Sequence, residues 1–76
     1  MPRLPVVTGA EVLRALRRGG FTVQRQSGSH VIIHHRERDR TASVPLHSVR
    51  TLSPGLLHDI IKQAGLTVNE FRHLLK

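Results

Sequence analysis

The chain has 76 residues, 38% of them hydrophobic, with 12 Lys and Arg against 5 acids and a formal net charge of +7 before any of its 6 histidines protonates. So short a chain closes one modest core, which excludes a second domain and a large enclosed enzyme pocket. The charge points to a polyanion, nucleic acid first, or to an acidic protein partner. The absence of cysteine excludes disulfides, thiolate zinc sites and cysteine nucleophiles.

Residues 1–7 read as an extended arm, because Pro2 and Pro5 disfavour helix. The arm is too short and too proline-rich for the apolar region of a signal peptide, and no apolar run approaches the about 18 residues of a membrane span. A soluble cytoplasmic protein is the expectation. Thr8-Gly9-Ala10-Glu11 is a capping box, followed by Val12, Leu13 and Leu16 at helical spacing and closed by Gly19-Gly20. It predicts a helix over 9–18 with Arg14, Arg17 and Arg18 on its solvated face.

Three short β segments follow. Phe21–Gln26 alternates apolar and polar residues, Ser27-Gly28-Ser29 is a turn, and His30–His35 is β-branched at its centre. Arg36–Arg40 is a charged loop, and Thr41–Val44 alternates again before Pro45. Short loops predict an antiparallel meander. Ser53-Pro54 then opens a second helix with an apolar stripe of Leu56, Leu57, Ile60, Ile61 and Ala64, and Gly65 ends it. Thr67–Glu70 is a second capping box, opening a short terminal helix with Phe71, Leu74 and Leu75.

The expected fold is α+β over a single domain, 1–76: a three-stranded antiparallel sheet with helices on one face, in the order α-β-β-β-α-α. Strand parity predicts Phe21, Val23, Val31 and Ile33 in the core, with His30, Ile32 and His34 sharing the open face.

Six histidines raise the question of a metal. His30 and His34 are four residues apart on a strand, about 13 Å between Cα atoms at 3.3 Å per residue, so they do not chelate one ion. No metal site is expected. A serine triad lacks its orienting carboxylate and pocket, and no Gly-x-x-x-x-Gly-Lys phosphate loop is present. Trp and Tyr are absent, so base stacking on aromatics is not the main binding mode.

Metal-free RNA cleavage does fit. There the nucleophile is the substrate's own 2′-hydroxyl, and the protein supplies a base of near-neutral pKa and cations for the phosphorane. His30 stands where a tight turn enters a strand, beside backbone amides that suit a phosphate.

The stretch Gly20–His30, with Arg25-Gln26-Ser27-Gly28-Ser29-His30 at its end, resembles the signature of the HicA toxins. So do Val44-Pro45-Leu46-His47, Leu52-Ser53-Pro54-Gly55 and Ile60-Ile61-Lys62-Gln63-Ala64-Gly65-Leu66. The likeness runs from about Thr8 to Leu75 in the family's order. One departure is Gly55-Leu56-Leu57, where members often carry Gly-Thr-Leu.

The resemblance implies a fold like a double-stranded-RNA-binding domain. It implies a toxin of a type II toxin–antitoxin system, an endoribonuclease that cleaves mRNA without a metal or small-molecule cofactor and is neutralised by a HicB antitoxin. It maps the catalytic histidine onto His30 and the preceding Gly-Ser onto Gly28-Ser29. Arg25 is then a phosphate contact, Gln26 and Ser29 orient RNA, and His47 is a candidate for the second proton transfer. The alternative is a non-catalytic RNA-binding module of the same fold, and a third reading is a protein that only binds an acidic partner.

Overall fold

The computed structural model describes residues 3–46 and 50–76. Its elements are α1 (Gly9–Arg18), β1 (Thr22–Ser27), β2 (His30–His35), β3 (Arg40–Pro45), α2 (Pro54–Gln63) and α3 (Val68–Leu74). The strands form one antiparallel sheet in the order β1-β2-β3. Helices α1 and α2 pack against β3, and α3 packs on α1 and α2. The fold is α+β in the expected order.

Side chains set the helix limits. The Thr8 hydroxyl accepts from the Glu11 N–H at 3.2 Å, and the Glu11 carboxylate accepts from the Thr8 N–H at 2.9 Å. Thr67 and Glu70 repeat the device at 3.1 and 2.9 Å. Ser53 caps α2 by accepting from the Leu56 N–H, with Pro54 at the first helical position. The chain leaves α2 through Gly65 at φ 74, a left-handed conformation that favours glycine. Arg18, at the end of α1, does more than face solvent: its guanidinium donates to the carbonyls of Leu74 and Lys76 at 3.1 and 2.8 Å, tying α3 to α1.

The capping carboxylates carry a testable consequence. Glu11 is held below its ordinary value of 4.5 by the hydrogen bond from the Thr8 backbone, then by the Thr8 hydroxyl. Glu70 is lowered in the same way by Thr67, backbone first. A carboxylate whose pKa falls on folding stabilises the fold above its unfolded value, and that contribution fades as pH drops through the folded value. The melting temperature therefore falls on acidification below about pH 4.5, and it falls less in a Glu11→Gln/Glu70→Gln variant. Parallel melting curves for the two proteins from pH 7 to pH 3 would refute the cause.

The core joins Val12, Ala15 and Leu16 of α1 to Val31 and Ile33 of β2, Ala42 and Val44 of β3, and Leu57, Ile60 and Ile61 of α2. Phe21 and Phe71 complete it. Val7, just before α1, is buried in this core. The Val7 carbonyl accepts from the Leu52 N–H at 2.8 Å, and Thr8 bridges Thr51.

Two expected core residues lie outside it. Val23 is 46% exposed. It stands opposite Ile33, on the helix-facing side, but β1 is the edge strand farther from the helices, which sit over β3. Leu56 is 40% exposed. The buried stripe of α2 is Leu57, Ile60, Ile61 and Ala64, and Leu56 falls one position to its side.

Candidate nucleic-acid interface

Cross-strand pairing fixes which side chains share the uncovered sheet face. Directly opposed residues of antiparallel strands project to the same side. Val31 and Ile33 are buried, so His30, Ile32 and His34 project to the other face. That agrees with the parity expected from the sequence. Ser27 lies opposite His30, leaving Gly28 and Ser29 as a two-residue hairpin loop. Gly28 has φ 60 at the first loop position, as a II′ turn requires.

Three rows cross this face, which is open from β1 to β2 and closed at one corner, where Pro45 is buried. The first is Ser27, His30 and Pro45; the second is Arg25, Ile32 and Ser43; the third is Thr22, His34 and Thr41. Arg25 reaches this face because of an irregularity in β1. Val23 pairs with Ile33 and Arg25 with Ile32, so Gln24 is an extra residue in the strand. Such a bulge re-aims the side chains beyond it. Plain alternation from an inward Val23 puts Arg25 on the helix side; the bulge turns it to the face of His30.

The predicted site residues separate accordingly. His30 is exposed at the start of β2, and Arg25 is exposed one row away. Gly28 and Ser29 form the loop that leads into His30, and the Ser29 carbonyl accepts from the Leu46 N–H. Gln26 stands opposite Val31 and projects to the other side of β1, so it does not join His30. His47 lies outside the described residues. Ser27 and Thr22, which sequence reasoning did not single out, share the face of His30. The sequence pattern counts Ser27 in the turn; the structure ends β1 at Ser27 and leaves only Gly28 and Ser29 as the loop.

The end of the sheet that carries His30 also receives the beginnings of two helices. A Cβ on Gly9, the first residue of α1, would overlap the Pro45 carbonyl, and Pro45 stands opposite His30. The Thr8–Thr51 bridge brings the segment leading into α2 to the same place. Helix N-termini carry partial positive charge. The first turn of α2 holds no acidic residue.

His34 sits at the far end of β2. Its Nδ1 is 2.9 Å from the Thr41 hydroxyl, and its Nε2 is 3.9 Å from an Asp39 carboxylate oxygen. His35 projects to the helix side, edge-on to the Phe21 ring at 5.1 Å between centroids. Arg38 turns away from the open face, pairing with Glu70 at 3.8 Å and donating to the Gly65 carbonyl. Among the described residues no group of three or more His, Asp or Glu side chains is arranged to hold a metal ion. No helix there is long and apolar enough to cross a membrane.

The arrangement is an exposed imidazole and a guanidinium on one uncovered sheet face of a strongly basic chain. It suits an anionic strand laid across a surface rather than a molecule enclosed in a pocket. A search of the curated proteins finds no match to the chain. A family model described as the HicA toxin of bacterial toxin-antitoxin systems matches residues 9–66, from the first residue of α1 to just past α2. The chain therefore belongs to the HicA toxin family.

Proposed function

We propose that this toxin is an endoribonuclease that cuts mRNA without a metal ion, with His30 moving protons, and that a HicB-type antitoxin neutralises it by covering that histidine. The observation that carries the reading is the shared face of His30 and Arg25 in a chain of this toxin family.

The chemistry asks little of so small a fold. A base takes the proton of the ribose 2′-hydroxyl, and the 2′-oxygen bonds to the adjacent phosphorus. The bond from phosphorus to the 5′-oxygen breaks as that oxygen takes up a proton. The products are a 2′,3′-cyclic phosphate and a 5′-hydroxyl. His30 serves as the base, or as the acid to the leaving oxygen; His47 is the candidate for the other transfer. Arg25 offsets the charge that grows on the phosphorane, and the Gly28-Ser29 loop offers backbone amides to the same phosphate. A metal-bound water is unnecessary, because the substrate brings its own nucleophile.

The test uses purified toxin and RNA in EDTA. Cleavage proceeds, and a single 2′-deoxy substitution at the cut site removes it. A cut that survives this substitution rejects the 2′-hydroxyl mechanism, and a cut lost in EDTA but restored by a divalent cation rejects metal independence. Tight binding of RNA that stays intact favours the second reading, a non-catalytic RNA-binding module.

A further inference from the structure

The open face has a second end. We infer that the row of Thr22, His34 and Thr41, with Asp39 beside it, is a base-recognition subsite for a single RNA strand running along β2 from His30, and that it favours a base bearing an exocyclic amino group over uracil. The inference deepens the ribonuclease reading and rests on it for the course of the strand.

The far row differs in kind from the row of His30. Its cross-strand neighbours are hydroxyls: Thr22 donates to the His34 carbonyl at 3.4 Å, and Thr41 meets the His34 ring at 2.9 Å. While Thr22 ties down the backbone of His34, the Thr41 contact holds the imidazole in a set orientation, with its side chain 28% exposed. The charged group that meets it is the Asp39 carboxylate, 94% exposed at 3.9 Å. A carboxylate there repels a phosphate and accepts hydrogen bonds from an amino group, the contact carboxylates make to cytosine N4. Adenine and guanine also carry an exocyclic amino group; uracil carries none.

The two ends are bridged in a way that suits one strand. Arg25 lies in the middle row, level with Ile32, whose half-buried side chain gives apolar surface for a ribose or base. The span of about 13 Å from His30 to His34 equals about four nucleotides at the 3.4 Å rise of a stacked strand, and fewer if the strand is extended. The phosphate chemistry thus sits at one end of β2 and base reading at the other. Histidine rings also stack on unpaired bases, so the His34 ring meets the face of the base while Asp39 meets its edge.

The experiment separates this subsite from the catalytic reading by measuring binding alone. His30→Ala protein is titrated into fluorescein-labelled RNA hexamers in which each position carries adenine, guanine, cytosine or uracil, and Kd is read by anisotropy. At one position, uracil weakens binding about tenfold. Adding His34→Ala removes the difference. So does adding Asp39→Gly, a substitution that suits the φ of 50 at that residue. Arg25→Ala weakens every hexamer alike. Equal affinity for all four bases at every position overturns the subsite, as does a preference that persists in both added variants. Far-UV circular dichroism guards against misfolding of the His34 variant, and the Asp39 variant carries the test if that one fails. Uncut RNA with wild-type protein strikes only the ribonuclease reading, because the Kd pattern is read without cleavage.

Discussion

His30→Ala lowers RNA cleavage about a hundred- to ten-thousandfold, the usual share of one general acid or base, and leaves the melting temperature close to that of the unaltered toxin. The two halves of that result have separate causes. The side chain is exposed and outside the core, so its removal opens no cavity. The loss of rate follows because the 2′-hydroxyl then has no positioned group to take its proton. Labelled RNA in EDTA gives the rate, and a circular dichroism melt gives the stability. A variant that cuts at the original rate removes His30 from the chemistry. One that loses both rate and fold assigns it to the scaffold instead.

Phe71→Ala acts by the opposite route. Phe71 is completely buried, although it belongs to a seven-residue helix at the edge of the structure. Truncating a buried Phe costs about 3–5 kcal/mol, whereas a chain of 76 residues holds about 4–11 kcal/mol of stability in all. The variant therefore loses from about a quarter of its margin to all of it. Urea denaturation at 25 °C measures it through the midpoint at constant slope. A loss below about 1 kcal/mol, typical of surface changes, would show that α3 only decorates the core. The consequence for the toxin is indirect: RNA cleavage per folded molecule stays, and the folded fraction drops.

Much of this architecture was legible in the sequence because its punctuation is strong. Two capping boxes and a Ser-Pro start mark all three helices, and the apolar spacing of Val12 and Leu16 and of Leu57, Ile60 and Ile61 marks the faces they bury. The β-branched run at Val31–Ile33 set the parity of the central strand. What escaped was β1. All six of its residues are exposed, so burial imposes no pattern on it, and the extra residue at Gln24 left no mark in the composition. That bulge decides which face Arg25 takes and which face Gln26 takes. Sequence reading named both as RNA contacts, but neighbours on a strand point opposite ways. The far end of the open face was half visible: His34 was assigned to it by parity, while Thr22, Thr41 and Asp39 became its neighbours only through pairing with other segments.

The contact between Gly9 and Pro45 has a bearing on how the fold is completed during synthesis. The strand paired beside His30, β3, is braced at Pro45 by the opening residue of the first helix, and Phe71, near the other end of the chain, is fully buried in the core behind that helix. Translation delivers these parts one after another. A fragment that ends before Phe71 already holds His30 and lacks one of the largest side chains that close the interior.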